Sequence, residues 1–285
     1  MTLRGARSPL PAVLLLGAFV ACAPDGEGRE GRADQAGEQA ARSTVESDGV
    51  TIQYVAHACF VITSPEGVSL LVDPYESRWW LGYDFPTTLG GPDAALLSHP
   101  HPDHDAGYEA GRDVPWGEET AVLTSPGQYV LDDITVFGIR GKHADPYGEE
   151  FGQRNTIWLI ETDGLRIAHI GDNGPVTDEI VEDLGRVDIL MLPVDDIEHI
   201  LSHEAVVEWR TRLSPRVLVP MHYRHDDLEV DPESPSDLAS IDEWLTRQRG
   251  VETQPTNMVR VRYDVLPELP QVWVFPHYPT LTPPR

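Results

Sequence analysis

The stretch Ala94-Ala95-Leu96-Leu97-Ser98-His99-Pro100-His101-Pro102-Asp103-His104 decides the reading of this chain. A short apolar run leads into three imidazoles and a carboxylate packed into six positions. Pro100 and Pro102 each remove an amide donor and would clash with a preceding turn, so the stretch cannot be the middle of a helix. It does not suit a central strand either. It reads as a stiff loop at the C-terminal end of a buried strand, its polar side chains gathered before any ligand arrives. Imidazole nitrogens and carboxylate oxygens suit a borderline divalent ion: zinc first, with manganese and iron accepting the same donors. The competing reading, a histidine-rich surface loop, leaves the strand and the partners downstream unexplained.

Working outward, the same grammar recurs. Alternating residues predict a strand over 50–54 and another over 59–63, with His57 between them. A strand over 69–72 ends at Asp73-Pro74. The segment 75–92 follows, with Trp79, Trp80, Tyr83 and Phe85, too many aromatics for a passive linker. They either pack as a flap on the body, line a pocket or touch lipid. A short helix is expected to begin over 106–110. Strands over 121–124 and 134–139 lead to Lys142-His143-Ala144-Asp145. Strands over 156–161 and 165–170 flank the hairpin turn Thr162-Asp163-Gly164, and the second ends at Gly171-Asp172-Asn173-Gly174. Thr177 can cap a helix running to Leu184. A strand over 187–194, a helix from Ser202 or His203 to Leu213 and a strand over 217–219 lead to Pro220-Met221-His222. A helix over 236–249, a strand over 258–263 and an edge strand over 272–275 complete the pattern. Four apolar strands therefore end in polar loops, at His99–His104, Asp172, Asp195-Asp196 and His222. That predicts an α/β layered body with ligands delivered by strand-end loops. No glycine-rich phosphate loop, nucleotide fingerprint or internal repeat is present.

Composition narrows the partners. The chain carries 47 acidic against 21 basic residues, a net charge of −26, and Lys142 is its single lysine. Nucleic-acid binding leans on basic patches, so DNA and RNA are not expected as partners. Broad adhesion to an anionic membrane is not expected either. At the N-terminus, Arg4 and Arg7 precede an apolar run over 10–20, and Ala21-Cys22 follows, the order of a secretion signal. The site resembles a bacterial lipobox, with Cys22 as the lipidated residue. The expectation is a signal over 1–22, a disordered tether over 23–48 and one folded domain over 49–285 with a proline-rich tail. The chain would then sit in the bacterial cell envelope, lipid-anchored or periplasmic or extracellular, touching membrane only through its lipid. Cys59, alone in an apolar stretch, reads as a small buried hydrophobe.

His-x-His-x-Asp-His, a separated His143, Gly171-Asp172 and Pro220-Met221-His222 together resemble the metallo-β-lactamase-fold hydrolase superfamily, over 51 to about 263. The early Gln53-Tyr54-Val55-Ala56-His57-Ala58-Cys59-Phe60 and Leu71-Val72-Asp73-Pro74 look like the branch containing ascorbate-phosphate lactonase-like proteins and the phospholipase D that releases N-acylethanolamines. The resemblance implies a four-layer αβ/βα sandwich, α/β in class (α+β in some schemes), with the site on one edge. It implies two divalent ions. His99, His101 and His143 would hold the first, Asp103, His104 and His222 the second, and Asp172 would bridge both opposite a hydroxide. Asp73 would stand behind the loop and orient a ligand imidazole. Gly171-Asp172-Asn173 departs from the frequent Gly-Asp-Thr, so Asn173 would have to supply the threonine's hydrogen bond.

The remaining histidines are weighed singly. His57 is read as structural or as reaching the site from its strand loop, and His225 as a substrate contact or a bystander. His169, in an apolar strand, is read as a hydrogen-bonded packing residue. His199 and His203 could share a helix face, but Ile200 stands where a zinc-protease helix needs its glutamate. The chain is thus expected to be a binuclear metal-dependent hydrolase that aims a bridging hydroxide at an ester, lactone, amide or phosphoester of a small molecule. Asp103 would ligate and take the proton of the attacking water. Two rivals stand beside this reading: a phospholipase D-like phosphodiesterase acting on lipids, and a metal-stabilised binding protein without turnover.

Overall fold

The structure is a computed structural model and describes residues 48–78, 81–82, 84–228 and 238–279. The expected signal, Cys22 and nearly all of the tether lie outside the described residues, as do Trp79, Trp80 and Tyr83. The chain lays down β1 (Val50–Ala56), β2 (Cys59–Thr63), β3 (Ser69–Val72), β4 (Ala94–Leu96), a helical turn α1 (Pro102–Asp105) and β5 (Ala121–Leu123). It continues with β6 (Gly127–Leu131), β7 (Ile134–Lys142), the short α2 (Tyr147–Glu150), β8 (Arg154–Thr162) and β9 (Leu165–His169). The second half alternates as α3 (Asp178–Leu184), β10 (Ile189–Pro193), α4 (His203–Leu213), β11 (Val217–Met221) and α5 (Asp242–Thr246). It closes with β12 (Val251–Thr253), β13 (Met258–Val261) and β14 (Gln271–Val274).

The strands form two mixed sheets, ordered β13-β1-β2-β3-β4-β5 and β12-β14-β11-β10-β9-β8-β7-β6. Alternation decides which side chains meet between them. Ile52, Phe60 and Leu96 from the first sheet join Trp158, Ile160, Met191 and Val219 from the second in one core. The other face of the second sheet is apolar too, as a doubly covered sheet requires. Ile157, Leu159, Leu190 and Leu218 pack there against Ile180 and Leu184 of α3 and Val206, Trp209 and Leu213 of α4. Over the first sheet the covering layer comes largely from the 75–92 segment: Tyr75, Leu81 and Phe85 pack on Val55, Cys59 and Leu71. Phe85 is buried and its ring lies 5.2 Å from Tyr75, so this aromatic of the insertion packs as a flap.

Strand direction positions the site. β3 pairs in parallel with β4, and β9, β10 and β11 run parallel to one another, so their C-terminal ends reach the same edge of the sandwich. The hairpin turn between β8 and β9 has Asp163 at φ 49° and Gly164 at φ 76°, the left-handed pair that a two-residue turn of this kind requires.

Four local expectations need correction. The last residues of the histidine motif form a helical turn rather than loop. Pro102 sits at the first helical position, where its missing N–H costs nothing. The helix expected over 106–110 is absent, because Ala106 is left-handed (φ 52°) and the Asp105 carboxylate accepts the Gly107 and Glu109 amides in a turn. The helix expected over 236–249 is reduced to Asp242–Thr246. β14 is no edge strand, since β12 pairs on its outer side.

Candidate metal centre

The histidine motif is built on β4 and held by one buried carboxylate. Asp73, at the end of β3, accepts the Ser98 amide (2.8 Å) and the Ser98 hydroxyl (2.6 Å). Its Oδ2 also lies 2.8 Å from His104 Nδ1. The Ser98 hydroxyl in turn lies 2.9 Å from His99 Nδ1. With its own hydrogen given to Asp73, Ser98 accepts from His99 Nδ1–H. Both imidazoles are thereby fixed with the proton on Nδ1 and the lone pair on Nε2, the tautomer that suits a metal ligand. His143 reaches the same state by giving Nδ1–H to the Ala144 carbonyl at 2.9 Å.

The freed nitrogens converge on Asp172, delivered by the β9 strand end. Its Oδ1 lies 3.3 Å from His104 Nε2. Its Oδ2 lies 3.2 Å from His222 Nε2, 3.6 Å from His143 Nε2 and 3.9 Å from His99 Nε2. His101 Nδ1 lies 3.1 Å from His99 Nε2, and the Gln153 amide nitrogen lies 2.9 Å from His101 Nε2 and donates to it, which keeps the His101 proton on Nδ1 until an ion takes its place. Asp103 Oδ2 lies 3.1 Å from His57 Nε2, 3.6 Å from His104 Nε2 and 3.9 Å from His222 Nε2. The donors fall into overlapping groups: His99, His101 and His143; His99, His104 and Asp172; and His57, Asp103, His104 and His222.

These residues suit divalent ions. His104 Nε2, His143 Nε2 and Asp172 Oδ1 are fully buried and make no hydrogen bond. Buried polar atoms without partners are costly, and a bound cation satisfies donor lone pairs of this kind. Charge is balanced locally. Without an ion, burial opposes a charge on His104, yet Asp172 and Asp103 push its pKa well above the ordinary histidine range, so Nε2 carries a second proton there that a bound cation would displace. Burial likewise opposes ionisation of Asp172, and His104 and His222 overcome it, holding the carboxyl well below its usual range. Burial and the neighbouring His222 push His57 down to about 3, and burial and His104 push His99 well below its ordinary value. These two imidazoles are therefore neutral at physiological pH.

The backbone is strained where the ligands sit. His57 (φ 57°), Asp73 (φ 43°) and His222 (φ 63°) are all left-handed, at roughly 1–3 kcal/mol each. His57 and His222 hold one another: the His222 amide donates to the His57 carbonyl at 3.0 Å and the rings lie 4.0 Å apart. Gly171 (φ 55°) precedes Asp172, and a Cβ there would meet Ser98 Oγ and Asn155 Oδ1 at 2.6 Å. Only glycine lets that turn approach β4 so closely.

The structure thus gathers His99, His101, Asp103, His104, His143, Asp172 and His222, with Asp73 behind them and His57 among them. Asn173 lies beside the site and pins its frame, Oδ1 accepting the Lys142 amide at 3.1 Å and Nδ2 donating to the Gly174 carbonyl at 3.1 Å. His225 is not brought to the cluster in this way; its Nε2 lies 3.1 Å from Tyr54 Oη and its ring 4.8 Å from Tyr223. Buried His169 lies against the Ala58 carbonyl at 2.8 Å. His199 and His203 do not share a helix face, for His203 begins α4 and His199 precedes it. His199 instead stacks on His222, ring centroids 5.7 Å apart. Sequence reasoning set His199 beside His203 rather than at the centre, and it passed over Ser98, Gln153 and Tyr147. Ser98 is the residue before the motif, a signal that could have been used. Gln153 and Tyr147 carry none, because a loop sets their place.

Residues 51–222 match the family model of the beta-lactamase superfamily domain. A UPF0173 metal-dependent hydrolase of Desulfitobacterium hafniense is 28% identical over 214 residues, covering 66% of this chain and 89% of the relative. One from Methanobrevibacter smithii is 26% identical over 205 residues, with 64% and 85% covered. The fold matches that of a Thermotoga maritima protein described as a zinc-dependent hydrolase of the metallo-beta-lactamase superfamily. That match has a TM-score of 0.60 and 23% identity, and covers 79% of this chain and 98% of the other. The curated relatives it resembles are metal-dependent hydrolases, and with more than half of its length under the family model, the chain belongs to the metallo-beta-lactamase superfamily.

Proposed function

We propose that the chain works with two divalent ions, zinc by preference, and hydrolyses an ester, lactone, amide or phosphoester of a small molecule. The observation that carries this reading is the convergence of the Nε2 atoms of His99, His104, His143 and His222 on the single carboxylate of Asp172, all within 3.9 Å. His99, His101 and His143 would hold one ion, His104, His222 and Asp103 the other, with Asp172 shared. Bound ions of this kind supply Lewis acidity and lower the pKa of a water to about 7. The chain's own residues do the rest. Asp73 keeps the proton of His104 on Nδ1, and Ser98 does the same for His99, so both present a basic nitrogen. Burial opposes ionisation of Asp103, yet His104 and His57 hold its carboxyl below the usual range, so this partly exposed carboxylate would orient the attacking water by accepting its hydrogen bond while His57 steadies Oδ2.

The test is metal content and turnover on one sample lacking residues 1–48. About two metals per chain by plasma mass spectrometry are expected, with hydrolysis of p-nitrophenyl acetate, a simple lactone or bis-p-nitrophenyl phosphate that collapses in Asp172→Asn. No bound metal after reconstitution overturns the reading. The proposal also places the chain at the cell envelope through lipid on Cys22, and Cys22→Ser would then leave the membrane fraction.

A further inference from the structure

Two exposed aromatics beside the centre have no structural employment. Tyr147, at the start of α2, is 45% exposed and Phe151, just after it, is 69% exposed. The Tyr147 ring stands edge-on to two of the candidate ligands, 5.1 Å from His101 and 5.2 Å from His143, at 74° and 72°. Phe151 extends the surface outward, its ring 6.0 Å from Tyr147. Neither belongs to a core cluster of the described residues.

The backbone that carries the pair is fixed to the site. The segment 143–153 closes on itself, His143 N donating to the Gln153 carbonyl (3.1 Å) and Gln153 N to the Tyr147 carbonyl (3.0 Å). Gly148 N donates to the Ala144 carbonyl at 3.1 Å, and a Cβ on Gly148 would overlap the His143 carbonyl. α2 is thus pressed against the strand end that delivers His143. The charge around it is mainly acidic: Glu149 and Glu150 lie on α2 and Asp145 precedes it, while of the two nearby cations Lys142 is taken by Glu149 at 3.4 Å and exposed Arg154 stands opposite Lys142 on β8. Such a rim repels an anion and offers a neutral apolar group two aromatic faces.

We propose that Tyr147 and Phe151 form an apolar wall that selects small substrates whose group next to the scissile bond is neutral and hydrophobic, an aliphatic or aromatic acyl chain, over short or anionic ones. The wall gives the hydrolase reading above, on which it rests, its substrate class. Burying even two methylenes against such a surface is worth about tenfold in affinity.

The test uses zinc-loaded protein and needs no turnover. Binding of acetohydroxamate, octanohydroxamate and the carboxylate-ended succinyl monohydroxamate is measured by calorimetry in the wild type, Phe151→Ala, Tyr147→Ala, the double variant and Phe151→Leu. The wild type should favour octanohydroxamate over acetohydroxamate by tenfold or more and bind the succinyl compound most weakly. The double variant should fall to about twofold preference with metal content unchanged, and Phe151→Leu should keep most of it. A flat chain-length series, or a preference equal in wild type and double variant, overturns the wall. So does cosedimentation with phosphatidylcholine vesicles lost in Phe151→Ala without any chain-length preference, which would make the pair a membrane contact. If the preference follows the wall but neither p-nitrophenyl acetate nor p-nitrophenyl octanoate is hydrolysed, the wall stands and the hydrolase reading fails.

Discussion

The two ends of the histidine cluster are built differently. The inner group, His57, Asp103, His104 and His222, is backed by charge: Asp73 behind His104, and Asp103 and Asp172 in front. Two of its members sit in strained left-handed conformations that lock onto each other. The outer group, His99, His101 and His143, is backed by neutral partners: the Ser98 hydroxyl, the Gln153 amide and the Ala144 carbonyl. His101 is only half-buried. A carboxylate behind an imidazole raises its basicity more than a neutral acceptor does. On the proposed two-ion reading, the difference makes the inner group the structural anchor and the tighter ion site, and the outer group the exchangeable one.

The largest effect should come from removing one imidazole of each group in metal-stripped protein. His104→Ala leaves Asp73, Asp103 and Asp172 buried beside an emptied position and should cost about 3–5 kcal/mol, the penalty of an uncompensated buried charge. His143→Ala loses one hydrogen bond to a carbonyl and should cost about 1 kcal/mol. Urea unfolding of both variants measures the gap, and equal losses would erase the distinction between the groups.

Acid should come next. His57 in the folded protein takes a proton only near pH 3, and His99 also well below its ordinary value, whereas both take one near 6.5 in the unfolded chain. The unfolded state therefore binds more protons below 6.5, and stability must fall as the pH drops from 6.5 toward 3. His57 alone withdraws about 1.4 kcal/mol by pH 5.5, and His99 adds to it in the same direction. His104, raised, works in the opposite sense: its contribution is complete below 6.5 and fades as the pH climbs. In His57→Ala the acid slope of the urea midpoint should shrink. An unchanged slope would mean that His57 is not held neutral in the inner group.

How much of this was legible in the chain follows from which forces act locally. His99–His104, Asp172 and His222 were readable because each lies at the end of an apolar strand, and parallel strand ends meet at one edge. Asp73 was readable for the same reason. The cap of α3 on Thr177 and the turn at Asp163-Gly164 are encoded within a few residues. His199 was not readable, because its approach to His222 depends on a loop path that no periodicity records. Nor was the helical turn inside the motif: prolines argue against helix interiors, and the argument stops short at the first helical position. The reduction of the last expected helix to Asp242–Thr246 belongs here too, since its polar pattern does not distinguish a long exposed helix from a short one tied down by Trp244.

Asp73→Asn and Gln153→Ala sharpen the comparison at its finer scale. Asn at 73 keeps the shape but removes the charge behind His104, so the ion of the inner group should bind about 10- to 100-fold more weakly. Gln153→Ala removes the neutral partner of His101 Nε2 in a half-exposed setting. The cost there should be a few-fold, within the roughly 0.5–1.5 kcal/mol of one ordinary hydrogen bond, and confined to the outer ion. Competition against a chromophoric zinc chelator should resolve two ions as separate phases, the first released being the outer one. Asp73→Asn should move chiefly the slow phase, with a smaller movement of the fast one because Ser98 carries its influence to His99. Gln153→Ala should move the fast phase alone. If Gln153→Ala moved both phases equally, the two groups would be one coupled site, and the charge behind His104 would no longer explain which ion is held more tightly.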